Sequence, residues 1–147
     1  ILNNSFLIWT GQYRQASDIL KEHKKKIINN NKKKLDLLYE CALLGKKLFS
    51  DKKFSYKIFY ELIQKNWKTK NQFNKLVSNL KIEKITQILN KEKIFSYKLL
   101  GAGGGGFFLI FSNKKNIKKF KKKYKKLDIF DVSYSDNGSD LIVKNFY

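Results

Sequence analysis

The residues with the most chemical potential form the stretch Leu99-Leu100-Gly101-Ala102-Gly103-Gly104-Gly105-Gly106-Phe107-Phe108-Leu109-Ile110-Phe111. Five glycines and one alanine fill six positions, and an unbroken apolar run follows. Glycine loses more backbone entropy on folding than any other residue, so such a run is costly inside a folded domain. Flexible linkers tolerate it, but their flanks are polar and rich in serine. Here leucines precede the run and phenylalanine, leucine and isoleucine follow it, so it enters a core. A glycine loop at a core edge offers positive φ angles, exposed N–H groups, and no Cβ to keep away a phosphate or another backbone. A plain turn between two strands is the simpler role, yet a hairpin needs only one or two glycines. No Lys-Ser/Thr pair follows the run, which excludes a Walker-type phosphate loop. No helical pattern begins directly behind it, which excludes the dinucleotide fingerprint.

Three other side chains are chemically distinctive. Arg14 is the lone arginine among 32 lysines and arginines. A guanidinium holds a carboxylate or phosphate through two parallel bonds, which an ammonium cannot do. Two roles stand open for it: contact with an anionic group of a substrate, or a structural ion pair with a glutamate such as Glu40 or Glu61. His23 has no second histidine to share a metal, and reads as a helix residue at the surface. Cys41 falls within an apolar helical pattern and reads as a small packed residue rather than a nucleophile. The 12 acidic residues form no paired-carboxylate or metal-ligand signature, so no catalytic residue and no metal ligand is assigned.

Lys98-Leu99-Leu100-Gly101-Ala102-Gly103-Gly104-Gly105-Gly106-Phe107 resembles the third motif of the GHMP small-molecule kinases, which include galactokinase, homoserine kinase and mevalonate kinase. The longer string through Phe111 is most similar to the sugar-kinase branch acting on D-glycero-D-manno-heptose 7-phosphate. At the other end of the chain, Thr10-Gly11-Gln12-Tyr13-Arg14-Gln15-Ala16-Ser17-Asp18-Ile19-Leu20 is similar to the family's Thr-Gly-x-x-Arg-x-Ala/Ser-Ser-x-Ile-Leu segment. The resemblance implies a GHMP-kinase C-terminal domain over residues 1–147. In that domain Gly101, Ala102, Gly103, Gly104, Gly105 and Gly106 line the cofactor side of the cleft, and Thr10, Gly11 and Arg14 lie on the substrate side. It implies transfer of the γ-phosphoryl group of ATP to a sugar hydroxyl, that of a heptose 7-phosphate at the anomeric position. ATP and Mg²⁺ would be held mainly by an N-terminal kinase half that is not in this chain. One departure stands out: Phe95-Ser96-Tyr97 replaces the glycine- and alanine-rich approach to the loop, leaving open the backbone path before Lys98 and the choice of substrate.

The elements that position these residues follow from periodicity. Residues 5–10 read as a buried strand ended by Gly11. A helix carrying Ile19, Leu20 and His23 runs into a polar loop over residues 29–34. Residues 35–49 show the clearest helical spacing, with Leu35, Leu38, Ala42, Gly45 and Phe49 inward and Leu37, Leu44 and Leu48 broadening the stripe. A second helix covers 54–70, with Tyr56, Phe59, Tyr60, Ile63 and Trp67 inward. Phe73, Leu76, Val77 and Leu80 suit a short helix or turn. Ser78-Asn79 then starts another helix carrying Ile82, Ile85, Ile88 and Leu89. After the glycine loop, 107–111 is a central strand and 114–126 a helix with Ile117, Phe120 and Tyr124 inward and lysines on its wet face. Residues 129–134 alternate as a strand, Asp136-Asn137-Gly138 signals a hairpin, and 141–143 returns as the last strand. This order predicts an α+β fold: an antiparallel sheet with helices on one face, a ferredoxin-like plait elaborated by inserted helices.

Composition bounds the remaining possibilities. At 147 residues, with 42% hydrophobic and 15% aromatic content, the chain supports one folded domain with a proper core. The single cysteine allows no internal disulfide, no apolar run is long enough to span a bilayer, and a cytoplasmic location with no membrane partner is expected. An open reading frame begins with methionine and this chain contains none, so it reads as a piece of a longer protein. The net charge of +20 predicts binding to polyanions at low salt. The charge is almost all lysine, without a basic stripe interleaved with exposed aromatics, so no specific nucleic-acid partner is expected. A noncatalytic basic module, or a degenerate kinase remnant that binds polyanions, is the competing reading.

Overall fold

Alternation along the first strand sets the layout of the sheet: Phe6 and Ile8 face one side, Leu7 and Trp9 the other. The computed structural model describes residues 1–13, 17, 21, 32–73, 77–92 and 94–135. Strand β1 (Ser5–Trp9) follows a short 3₁₀ turn at Leu2–Asn4. Three helices come next: α1 (Lys32–Ser50), α2 (Tyr56–Phe73) and α3 (Leu80–Lys91). Strands β2 (Ser96–Leu99) and β3 (Phe107–Phe111) bracket the glycine loop, and helix α4 (Lys114–Lys123) leads to β4 (Ile129–Asp131). The sheet order is β2-β3-β1-β4 and every described pairing is antiparallel, with Ser5 opposite Phe111 and Trp9 opposite Phe107. This is the plait the element order predicts, with β3 in the interior of the sheet.

Phe6, Ile8, Tyr97, Leu99, Phe108 and Ile110 form the buried face. Against it pack Ile82, Ile85 and Leu89 of α3, Ile117 and Phe120 of α4, and Trp67 of α2. Burying such side chains contributes about 1.5–3 kcal/mol each, so this layer dominates the fold's stability. Helix α2 has a second role. Trp67 meets Phe108 edge-on at 5.7 Å, while Phe59 meets Phe111 at 5.2 Å on the other side of β3. The helix therefore runs along the β2 edge and closes it, and an open edge would invite pairing with another chain. Helix α1 packs on α2 through a smaller cluster that includes Leu48.

Several details depart from the periodicity reading. Helix α1 begins at Lys32, inside the expected polar loop, because lysine is a good helix former and no breaker lies between it and Leu35. Its buried residues are Cys41 and Leu48, whereas Phe49, at the centre of the expected stripe, is 61% exposed and Ala42 is exposed too. Tyr56 and Leu80 are exposed at helix starts. Phe73 belongs to α2 rather than to a new segment, and Val77 is fully buried. The path before Lys98 is a strand, β2, which the sequence left open. Helix α4 stops at Lys123 with Tyr124 as its cap, and β4 is only three residues long. Arg14, the helix residues Ile19, Leu20 and His23, Asn29 to Asn31, Leu76, the Asn137-Gly138 turn and the 141–143 strand lie outside the described residues.

Candidate functional site

Positive φ angles at Gly101 (71°), Gly103 (109°), Gly104 (74°) and Gly106 (93°) carry the chain through a bend that L side chains rarely adopt. Close approach adds a second demand. A Cβ on Gly103 would lie 2.9 Å from Val77 Cγ1, and one on Gly105 would lie 2.6 Å from the Gln12 carbonyl oxygen. The loop is thus pressed between two distant parts of the chain, and Gly103, Gly104 and Gly105 are buried.

Hydrogen bonds explain the pressing. The Thr10 N–H and its Oγ1 hydroxyl both donate to the Gly106 carbonyl, at 2.9 and 2.8 Å, and the Gly106 N–H donates back to the Gln12 carbonyl at 3.0 Å. On the other flank, the Gly104 N–H donates to the Val77 carbonyl at 2.9 Å. Asn79 Nδ2 donates to the Gly104 carbonyl at 2.9 Å, while Asn79 Oδ1 caps α3 by accepting from the N–H groups of Lys81 and Ile82. Lys81 Nζ, in the first turn of that helix, donates to the Gly11 carbonyl at 2.9 Å. Thr10, Gly11 and the loop from Gly101 to Gly106, two motifs separated by some ninety residues, are therefore one unit.

This arrangement corrects one expectation. The N–H groups of Gly104 and Gly106 are spent on protein carbonyls and are not exposed for a phosphate. What the loop offers outward is a surface of backbone, broken only by the Ala102 methyl. It borders a groove of about 290 Å³ lined by Trp9, Gln12, Tyr13, Leu100 and Phe107 together with Gly101, Ala102, Gly103, Gly105 and Gly106. Arg14, expected on the substrate side, lies outside the described residues. Glu40, one of its suggested partners, stands 3.9 Å from Lys65.

Two lysines behind the loop had no signal in a sequence saturated with lysine. Lys70 Nζ donates to the Gly101 carbonyl, and Lys98 Nζ donates to Asn66 Oδ1 at 3.2 Å. Burial pushes both ammonium groups below their ordinary range, and the nearby Lys98 charge lowers Lys70 further. Among the described residues neither has a carboxylate partner at ion-pair distance. Val77 and Gln12 likewise carried no signal, since both serve through backbone carbonyls. Asn79 could have been found by its capping position alone. Among the described residues no group of three or more His, Cys, Asp and Glu side chains is placed to hold a metal. No described helix is long and apolar enough to cross a membrane.

Comparison with known proteins agrees with the resemblance carried by the two motifs. No protein-family model matches the chain. Over 137 residues it is 28% identical to the D-glycero-alpha-D-manno-heptose 7-phosphate kinase of Campylobacter jejuni, covering 90% of this chain and 39% of that protein. In structure it is similar to the L. major mevalonate kinase solved with R-mevalonate, at a TM-score of 0.68 and 16% identity over 89% of this chain and 43% of that one. It is also similar to the Methanococcus jannaschii mevalonate kinase, at a TM-score of 0.61 and 28% identity over 88% of this chain and 39% of that one. The chain spans about two-fifths of the length of these relatives. Its fold is that of a GHMP-kinase C-terminal domain.

Proposed function

We propose that this chain, with the fold of a GHMP-kinase C-terminal domain, is that domain of an ATP-dependent sugar kinase, and that its acceptor is a heptose 7-phosphate at the anomeric hydroxyl. One observation carries the reading: the glycine loop is locked by Thr10 and Gln12 into a single wall beside a groove, with no side chain larger than the Ala102 methyl. The similarity to a heptose 7-phosphate kinase over most of the chain supports the choice of acceptor. Phosphoryl transfer is mostly positioning and electrostatic stabilisation, so a shaped wall is a real contribution without any catalytic side chain. Bound Mg²⁺ and ATP would supply the transferable phosphoryl group, with the N-terminal kinase half as their main holder. In this chain Thr10 and Gly11 fix the end of β1, the loop keeps the cleft open to close approach, and Lys70 and Lys98 give the wall a positive backing. The substrate-side role of Arg14 belongs to the same proposal.

The test is to join the chain to an upstream-encoded half bearing a Gly-Leu-Gly-Ser-Ser-type phosphate loop and to follow ADP release with heptose 7-phosphate. Sugar-dependent ADP release is expected, and Gly104→Val, which places a β-branched residue at φ 74°, should abolish it. Normal turnover in a folded Gly104→Val enzyme would refute the role of the loop. A second reading, a noncatalytic basic module that binds polyanions, is favoured by the net charge of +20. Absence of ADP release with any hexose or heptose acceptor would leave that reading standing.

A further inference from the structure

Where α1 ends and α2 begins, folding leaves an apolar tip open to solvent. Phe49 and Tyr56, which periodicity placed inward, are 61% and 49% exposed, and Ile58 is 49% exposed. The rings are held in place: Phe49 sits 5.3 Å from Phe54, Phe54 sits 5.1 Å from Tyr56, and Phe49 and Phe54 both rest on the buried Phe59 at 5.9 and 5.8 Å. Phe59 in turn meets Phe111, which anchors the tip at the end of β3 away from the glycine loop. An apolar recess of about 420 Å³, walled by Tyr60 and Phe95, continues the surface. Exposed lysines surround it at Lys46, Lys47, Lys52, Lys53 and Lys57, against the carboxylates Asp51 and Glu61. Asp51 Oδ1 is turned onto its own turn, where it accepts from the Lys53 N–H at 3.1 Å. Among the described residues none of these lysines stands at ion-pair distance from a carboxylate. A contiguous exposed apolar patch rimmed by one sign of charge marks an interaction surface.

We propose that this tip docks on an anionic phospholipid bilayer, with Phe49, Tyr56 and Ile58 entering the headgroup region and the surrounding lysines meeting the lipid phosphates. The inference is independent of the kinase reading, and surface docking needs no spanning helix. Charge complementarity selects the occupant. A second copy carries the same net charge of +20 and would set lysine against lysine. A nucleic acid has the right sign, but the rings of Phe49, Phe54 and Tyr56 are inclined by 45° and 82°, and Ile58 cannot stack, so successive bases find no platform. The kinase half is proposed to face the glycine loop, at the other end of β3. A bilayer supplies both requirements at once: phosphates in a plane for the ammonium groups, and an apolar layer beneath them for rings and lysine stems. Docked in this way, the chain holds the groove beside the glycine loop away from the lipid surface.

Co-sedimentation of the 147-residue chain with vesicles at physiological salt tests this. The probes are vesicles of phosphatidylcholine alone and of a two-to-one mixture of phosphatidylcholine and phosphatidylglycerol. Binding to the mixture and not to the neutral vesicles is expected. The triple variant Lys52→Gln, Lys53→Gln, Lys57→Gln should weaken binding about a hundredfold. Lys114→Gln, Lys115→Gln, Lys118→Gln on α4 makes the same change in charge away from the contact, so it should weaken binding less than about tenfold. Phe49→Ser with Ile58→Ser keeps every charge and replaces exposed side chains, so its melting by circular dichroism should match the wild type while binding falls about tenfold. No binding to the mixture, equal binding to neutral vesicles, equal loss in the two triple variants, or full binding by Phe49→Ser with Ile58→Ser would overturn the docking surface. So would a lipid-free dimer that the serine variant dissociates, an equal loss of oligouridylate binding in that variant, or failure of the joined enzyme to bind the mixture; these outcomes assign the tip to a second copy, a nucleic acid or the kinase half. ADP release by the joined enzyme is expected to be unchanged in all three variants, so the docking surface and the kinase reading stand or fall separately.

Discussion

Gly105 and Gly45 are the same residue type in opposite circumstances. The backbone of Gly105 is ordinary, but a Cβ there would sit 2.6 Å from the Gln12 carbonyl oxygen. Gly105→Ala should destabilise the chain by about 1–3 kcal/mol through overpacking. Gly45 lies within α1 with open space around it, so Gly45→Ala should stabilise by about 1 kcal/mol. Urea denaturation of the two variants reads opposite shifts in midpoint; matching shifts would deny that the loop is pressed on Gln12. Lys70 and Lys98 give a second prediction at this scale. Each has a folded-state pKa below its ordinary 10.5, so the native state disfavours the protonated form. That penalty is present at neutral pH and is relieved as pH rises through the lowered values towards 10.5. The stability of the wild type relative to Lys70→Met should therefore improve as pH is raised over that window. A flat difference would show that the ammonium is not penalised.

Among the elements, α3 does two jobs through one residue. Asn79 Oδ1 caps the helix while Nδ2 holds the Gly104 carbonyl. Asn79→Asp keeps the acceptor and loses the donor, so it should cost about 1 kcal/mol. Asn79→Ala loses both and should cost about 2 kcal/mol. Equal losses in chemical denaturation would show that the bond to the loop contributes nothing. At its other end α3 is tied to α4, since Glu92 accepts from Lys123 Nζ and Tyr124 Oη, each at 2.7 Å. These donors hold the Glu92 carboxyl below its ordinary 4.5. The sign follows: the tie is present above that ordinary value and is lost as pH falls through the lowered one. Edge closure by α2 belongs to this scale too, since without it β2 would present an unpaired backbone beside the loop.

At the scale of the whole molecule, charge and shape act separately. A net charge of +20 carried almost wholly by lysine gives a field that attracts any polyanion. Binding to two DNA duplexes of unrelated sequence should be equal. It should fall about a thousandfold or more between 50 and 200 mM salt if six or more phosphates are contacted. A preference for one duplex, or tight binding that survives at high salt, would favour the polyanion-binding module over the kinase domain. The groove behaves differently, because its lining is largely aromatic side chains and glycine backbone.

The sequence by itself determined the parts that rest on neighbours in the chain. The run of glycines, the Asn79 cap, the alternation of Phe6 and Ile8, and the spacing of Ile82, Ile85 and Leu89 are local signals, and the fold class followed from their order. Tertiary structure decided what depends on distant partners. Apolar residues fall on more than one face of helix α1, so only packing on α2 selected Cys41 and Leu48 as its buried residues. Strand β2 is four residues long, too short for a period to show, and exists because β3 offers it an edge. The inward turn of the Gly104 and Gly106 N–H groups and the partial burial of Lys70 and Lys98 depend on segments far away in sequence. A backbone carbonyl such as that of Val77 or Gln12 is identical at every position of the chain. Only the folded chain decides which one the glycine loop meets.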